Sequence, residues 1–214
     1  MRFAILGLFN SKSTVLAGMM HRLGANMAPP FWMNCKDNAE DNFYEPYDLS
    51  WHLRKWWDQP NITEMVSADM RTNFLRRWVE LQECTGSAPV GAKHPLLTLC
   101  WRELLLGWGE DVRLIWAFRE FDESVIGLQK RDWFRGLEKK IQQRLWDELV
   151  CLEGSNNKLV RVNWNDVRSN PEWAACHLAS LIGLVPTAFQ LKTAASFVVT
   201  ESVPVQLEHR NPIQ

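Results

Sequence analysis

Residues 2–24 read Arg2-Phe3-Ala4-Ile5-Leu6-Gly7-Leu8-Phe9-Asn10-Ser11-Lys12-Ser13-Thr14-Val15-Leu16-Ala17-Gly18-Met19-Met20-His21-Arg22-Leu23-Gly24. The hydrophobic period changes within this stretch. Residues 2–8 are apolar almost without a break, which is the pattern of a short strand buried on both faces. An opening apolar run can also be a leader peptide, but no small-residue cleavage site follows, so it reads as a first strand. Residues 15–23 set Val15, Leu16, Met19, Met20 and Leu23 on one helical face, and Gly24 follows as a C-cap. The loop between them begins at Gly7 and ends in Lys12-Ser13-Thr14, where the helix starts. A buried strand, a tight polar loop and an amphipathic helix form the opening unit of an α/β fold.

The alternation continues along the chain. Short apolar strands are predicted at 89–92, 112–118 and 159–164, and helices at 49–57, 68–82, 96–108, 123–130, 136–151, 172–182 and 187–197. Residues 25–50, rich in Asn, Pro and aromatic side chains, read as irregular. Strands of this kind separated by helices predict a parallel sheet covered on both faces. No repeat, low-complexity tract or long linker divides the chain, so residues 1–214 read as a single domain.

Composition narrows the function classes. The chain has 214 residues, 46% hydrophobic and 23% charged, which suits a packed domain and not a disordered one. No apolar run approaches the roughly 20 residues of a membrane span. With 24 basic and 25 acidic residues the net charge is −1, without the basic excess of a protein that lives on nucleic-acid phosphates. An anionic ligand must therefore be held by a few well-placed groups. The five cysteines (Cys35, Cys84, Cys100, Cys151, Cys176) are scattered, which is neither a disulfide framework nor a zinc pattern, and predicts a reducing compartment, the cytoplasm. No metal-ligating constellation is visible. The twelve tryptophans read chiefly as core.

In parallel sheets, ligands sit where strands end and loops turn into helices. At the first such turn the amides of residues 11–14 converge on a helix N-terminus, where unpaired N–H groups and the macrodipole favour an anion. Lys12 adds a charge, and Ser13 and Thr14 add hydroxyls. The plain alternative is a turn capped by Ser11, but the combination favours phosphate binding. The nucleoside-triphosphatase pattern G-x-x-x-x-G-K-[ST] fits poorly. Ser11 stands where its glycine should precede the lysine, Gly7 is one residue too close, and the strand at 112–118 leads into Arg119 with no carboxylate for magnesium.

The chain resembles the sulfotransferases that use 3′-phosphoadenosine-5′-phosphosulfate (PAPS). Many bacterial members open with G-x-x-R-S-G-T-S and an apolar helix ending in L-G. Gly7 and Ser11 match, Ser13 and Thr14 are conservative replacements, and Leu23-Gly24 falls at the family's spacing. Asn10 replaces the usual basic residue and Lys12 a glycine. Asn42-Phe43-Tyr44-Glu45 is similar to the G-Y-F-E segment, and Gly91-Ala92-Lys93-His94-Pro95 to the K-[DH]-P turn. Arg119 resembles the arginine of R-[DN]-P-x-x-x-x-x-S, with Phe121 at the proline and Gly127 at the serine. Val162-Asn163-Trp164-Asn165-Asp166-Val167 and Asn170-Pro171 resemble Y-E-D-L…D-P, and Glu208-His209-Arg210-Asn211 a tail that closes over the nucleotide.

The resemblance, which spans nearly the whole chain, implies a three-layer α/β/α fold with P-loop NTPase-like topology. It implies PAPS as co-substrate, no metal, and transfer of a sulfuryl group to a hydroxyl or amine of a small-molecule or carbohydrate acceptor. The implied donor-binding residues are Gly7, Asn10, Ser11, Lys12, Ser13, Thr14, Arg119, Gly127 and Arg210, with Ser124 as a substitute hydroxyl one helical turn before Gly127. Glu45 is the first candidate base and His94 the second, while Lys93 and Lys12 neutralise sulfuryl oxygens. Residues 25–85 form a helical and irregular insertion on the acceptor side, where Phe31, Trp32, Tyr44, Trp51, Trp56 and Trp57 either stack on an acceptor or roof the core. Two other readings stand beside this one. The first is a phosphate-loop kinase that uses magnesium and a triphosphate. The second is a non-catalytic relative of the sulfotransferase fold that binds a nucleotide or a partner.

Overall fold

A strand covered on both faces sends alternate side chains into two separate cores, and the first strand does so. The computed structural model describes residues 1–33, 42–58, 62–131, 134, 136–155 and 158–202. In chain order the elements are β1 (Arg2–Gly7), α1 (Ser13–Arg22), β2 (Phe31–Met33), β3 (Asn42–Pro46), α2 (Tyr47–Trp56), β4 (Trp57–Asp58), β5 (Thr63–Glu64) and α3 (Ala68–Glu83). Then come β6 (Val90–Lys93), a 3-10 helix (Pro95–Cys100), α4 (Trp101–Trp108), β7 (Arg113–Phe118), α5 (Phe121–Gln129) and α6 (Glu138–Ser155). The described part ends with β8 (Leu159–Asn163), α7 (Trp164–Ser169), α8 (Pro171–Leu181) and α9 (Ala188–Ser202).

Among the described residues the main sheet has four parallel strands in the order β6-β1-β7-β8. Ala4, Leu6, Leu114 and Trp116 face one core, closed by α3, the 3-10 helix, α4 and α6. Phe3, Ile5, Ile115 and Ala117 face the other, closed by α1, α8 and α9. This is the expected three-layer α/β/α architecture. The register pairs Ile5 with Lys93, Gly7 with Ala117, and Phe118 with Asn163, so the carboxyl ends of all four strands meet along one edge.

Most described tryptophans are core. Trp78 and Trp108 stack with centroids 5.7 Å apart, and their indole N–H groups donate to Asp48 and to the Leu75 carbonyl, so the buried polar ends are satisfied. Three local features differ from the sequence expectation. The irregular stretch contains an antiparallel ribbon that pairs Phe31 with Pro46 and Met33 with Asn42. Its strands lack apolar alternation because the adjacent residues Tyr44 and Glu45 are both buried, one against α1 and one on Lys93. The helix expected at 96–108 opens as a 3-10 turn, with Pro95 in its first position and His94 as its cap. The end of the strand at 159–164 turns instead into the short helix α7, capped by Asn163 through the Asn165 amide at 2.9 Å.

α9 closes on α1 through a notch. A Cβ on Gly18 would lie 2.2 Å from the Phe197 ring, so only glycine lets this aromatic seat. Gly18→Ala is expected to destabilise the fold by about 1–2 kcal/mol in urea denaturation, the overpacking cost less the helix-propensity gain. Adding Phe197→Leu should recover part of that loss.

Candidate active site

The loop after β1 is shaped by side chains that bracket its backbone. Thr98, wholly buried, accepts from the Gly7 amide at 3.1 Å and donates to the Gly7 carbonyl at 3.2 Å. Gln142, equally buried, does the same for Phe9, accepting from its amide at 3.0 Å and donating to its carbonyl at 2.7 Å. Gly7 has room for no side chain, since a Cβ would lie 2.7 Å from Ser11 Oγ and 3.1 Å from the Ala117 carbonyl. The left-handed residues of the loop are Asn10 (φ 59°) and Lys12 (φ 66°).

Lys12, not Ser11, is therefore the residue that flanks α1, and no side chain caps this helix. Ser11 Oγ is buried without a hydrogen-bond partner among the described residues, so the alternative of a turn capped by Ser11 is not what the structure holds. The Ser13 and Thr14 amides carry no hydrogen bond among the described residues beyond the helix itself. A helix N-terminus with its donors open is an anion site in waiting. Lys12 Nζ stands 5.6 Å from the ring centre of Trp164, at the start of α7.

Two charged groups flank the loop. On one side Arg119, directly after β7, donates through Nη1 to the Asn10 carbonyl at 3.1 Å and through Nε to Glu123 at 2.9 Å. On the other, Lys93 at the end of β6 is buried and donates to Thr14 Oγ1 at 3.0 Å, the Phe43 carbonyl at 3.1 Å and Glu45 Oε1 at 2.8 Å. All three ammonium donors thus have acceptors. Burial is the largest single influence and would raise the Glu45 carboxyl, but Lys93, His94 and Arg54 together outweigh it and hold the group below the usual carboxylate range.

His94 completes this cluster. Its Nδ1 accepts from the Leu96 amide at 3.0 Å, so in the neutral ring Nε2 carries the proton. That Nε2 lies 3.6 Å from Glu45 Oε2, beyond hydrogen-bond reach, and is buried without a partner among the described residues. Burial pushes the imidazole down to about 4, so it is neutral at physiological pH. Tyr44 sits between the two residues that meet Lys93, in a left-handed conformation (φ 52°) unusual for an aromatic residue. Its hydroxyl accepts from Arg22 at 2.7 Å, and Arg22 lies 3.8 Å over the Phe197 ring, which pins this strand to α1 and α9.

Gly7, Asn10, Ser11, Lys12, Ser13, Thr14, Glu45, Lys93, His94 and Arg119 therefore meet at the carboxyl edge of the sheet. Gly127, on α5, adjoins the loop at Asn10, and Ser124, one turn earlier on the same helix, is buried with its hydroxyl unpartnered among the described residues. Arg210 lies outside the described residues. Of the aromatic residues assigned to the acceptor side, Tyr44, Trp56 and Trp57 are core, Phe31 and Trp32 are half-buried, and Trp51 is exposed. Trp32 stacks on Tyr47 at 5.1 Å. No three His, Cys, Asp or Glu side chains cluster as metal ligands among the described residues. No described helix is long and apolar enough to cross a membrane.

Sequence reasoning missed Thr98, Gln142 and Arg22. The signal was present for Thr98, a polar residue inside the apolar run Pro95-Leu96-Leu97-Thr98-Leu99-Cys100.

No protein-family model matches the chain, and no curated protein matches it in sequence. Solved structures do match. The sulfotransferase STF9 of Mycobacterium avium superposes with a TM-score of 0.64 at 12% identity, over 94% of this chain and 68% of its own. The sulfotransferase domain of the Synechococcus olefin synthase gives 0.58 at 14% identity, over 98% and 82%. The sulfotransferase STF1 of Mycobacterium tuberculosis gives 0.55 at 11%, over 91% and 70%. The chain has the sulfotransferase fold.

Two measurements check the site's physics. Because the His94 pKa falls from 6.5 to about 4 on folding, the unfolded chain binds the proton first as pH drops. Stability should fall by roughly 3 kcal/mol between pH 6.5 and 4, and His94→Asn, which retains a cap acceptor, should flatten that window in pH-dependent denaturation. The left-handed backbone at Lys12 should make Lys12→Gly more stable than Lys12→Ala by about 1 kcal/mol.

Proposed function

We propose that the protein transfers a sulfuryl group from PAPS to a hydroxyl or amine of a small-molecule or carbohydrate acceptor. The observation that carries this reading is the position of Lys93, which joins Thr14 of the anion-binding turn to Glu45 in one hydrogen-bonded cluster. A candidate base thus stands beside the place where a transferable anion is held. Arg119, on the opposite flank of the same loop, suits the 3′-phosphate of the donor.

The chain's groups divide the work as follows. The open amides of Ser13 and Thr14, with Lys12, hold the 5′-phosphosulfate. The acceptor oxygen or nitrogen attacks sulfur in line; its bond to sulfur forms as the bond from sulfur to the 5′-phosphate oxygen breaks. Adenosine 3′,5′-bisphosphate leaves. The acceptor proton passes to Glu45 Oε2, while Oε1 stays on Lys93. His94 has no lone pair to offer, because Nδ1 is committed to the Leu96 amide and Nε2 carries the proton. Glu45 is therefore the base and His94 a capping residue. Lys93 and Lys12 balance charge on the sulfuryl oxygens.

Residues 25–85 form the acceptor side, with Trp32, Tyr47 and Trp51 as its accessible rings. The free thiols of Cys84, Cys100, Cys151 and Cys176 support a cytoplasmic setting.

Calorimetry tests the reading. Adenosine 3′,5′-bisphosphate is expected to bind, and Arg119→Ala to weaken it at least about tenfold. Glu45→Gln should lower kcat about a hundredfold or more with donor KM nearly unchanged. Binding of ATP with magnesium in place of the bisphosphate would sink the proposal in favour of a kinase.

A further inference from the structure

α3 carries large side chains on two stripes. Arg71, Leu75, Trp78 and Val79 face inward and are buried. Met70, Phe74 and Leu81 follow at i, i+4 and i+11 on the neighbouring stripe, with Arg77 between the last two. Met70 is 64% and Leu81 66% exposed, so the ends of this second stripe stand in water. Apolar side chains left exposed along one line mark a binding surface, where scattered ones do not.

Across from this stripe stands α2, and the two helices enclose a cavity of about 550 Å³, the size of a small-molecule site. The α2 wall is made by Asp48 and His52. The His52 ring centre lies 4.1 Å from that of Phe74, and burial pushes its imidazole down, so at physiological pH it is a neutral part of the wall. Asp48 is tied back, with Oδ2 accepting from the Trp78 indole at 3.0 Å and Oδ1 from the Leu49 amide at 2.8 Å. Arg77 is the one cation in the lining, and it makes no hydrogen bond or ion pair among the described residues. Asn73, one turn before it, gives its carbonyl oxygen to Arg76 at 3.4 Å and keeps its N–H groups as further donors. Met70 and Arg77 are about 10 Å apart along the helix axis. The cavity is thus an apolar trough with a cation towards one end. None of its lining residues belongs to the loop after β1 or to a strand end, so it is separate from the site described above and does not rest on the sulfotransferase reading.

We propose that the groove between α2 and α3 binds a medium-chain aliphatic carboxylate, its chain along Phe74, His52 and Met70 and its headgroup on Arg77. The chain covers apolar surface that water now touches, and the headgroup gives the guanidinium a charge-assisted partner. A single negative charge suits the site better than the two of a phosphate monoester. One guanidinium balances one charge, and the Asp48 carboxylate on the facing wall repels a second.

Three probes of one chain length, octanoate, octanamide and octylammonium, test the proposal by calorimetry below their micelle concentrations. Octanoate should bind at least about tenfold tighter than octanamide. Arg77 is exposed, so Arg77→Gln should fold as the original protein does, which thermal melting checks. That variant should weaken octanoate about tenfold and leave octanamide within about threefold. The Met70 methyl signal, assigned with Met70→Leu, should shift in NMR spectra on adding octanoate and stay in place with acetate, which has the charge without the chain. Adenosine 3′,5′-bisphosphate should leave octanoate binding unchanged. Octylammonium binding tightest gives the charge preference to Asp48 and overturns the proposal. Equal affinities for the three probes overturn it, as do octanoate binding that survives in Arg77→Gln, displacement by the bisphosphate, and no binding at all. A dimer in sedimentation velocity that Leu81→Asp separates gives the groove to a second copy of the chain and overturns it too.

Discussion

A lysine ammonium sealed from water must give all three of its N–H groups to protein acceptors, because the desolvation of a charge costs several kcal/mol. Lys93 meets that demand with one hydroxyl, one main-chain carbonyl and one carboxylate, drawn from α1 and β3. The three acceptors lie 48, 50 and 79 residues away in sequence, so the ion fixes where those segments lie. Glu45 is equally constrained. Without Lys93 it would be a buried carboxylate with no strong partner. The pair thus works less as a source of net stability than as a register mark that sets β3 against the sheet edge. Tyr44, held by Arg22, reinforces the same register from the other side.

The loop obeys a different constraint. The Ser11 amide is taken by the Leu8 carbonyl at 3.3 Å within the loop. The Ser13 and Thr14 amides have no acceptor among the described residues, and the main-chain groups of Gly7 and Phe9 are answered from elsewhere. Thr98 and Gln142 answer them from beneath, each closing a two-way hydrogen bond to a single residue. This leaves the Ser13 and Thr14 amides uncommitted at the one place where the helix dipole adds to their pull on an anion. Flexibility is not required of such a site. Its donors are already aimed, which is how an electrostatic site avoids reorganisation during reaction.

The α/β architecture was legible because buried parallel strands are short, apolar and separated by helices, and β1, β7 and β8 all have that form. The meeting of the loop, Lys93 and Arg119 followed from topology, since parallel strands send their next loops to one edge. The ribbon of β2 and β3 was not legible, because Phe31–Met33 and Asn42–Pro46 lack the alternation of a half-buried strand. Nor was the role of His94. Whether a histidine gives its Nδ1 to a backbone amide depends on the turn that follows, and Pro95 fixed that turn as 3-10. Gln142 left a trace, an amide on the buried face of α6, but a trace without a partner until the fold brought Phe9 beside it.

Lys12 shows why the motif is hard to recognise from letters alone. A glycine is favoured at such a turn because its backbone must enter the left-handed region, yet Lys12 enters it with φ 66°. The strain of a non-glycine residue there is about 1–3 kcal/mol, and the same residue brings a cation to the amino end of α1. What the chemistry needs from this loop is mostly the direction of main-chain N–H groups, and many side chains are compatible with that direction. Backbone function is nearly silent in sequence. A fold shared at 11–14% identity accords with that, since main-chain direction can be kept while most side chains change.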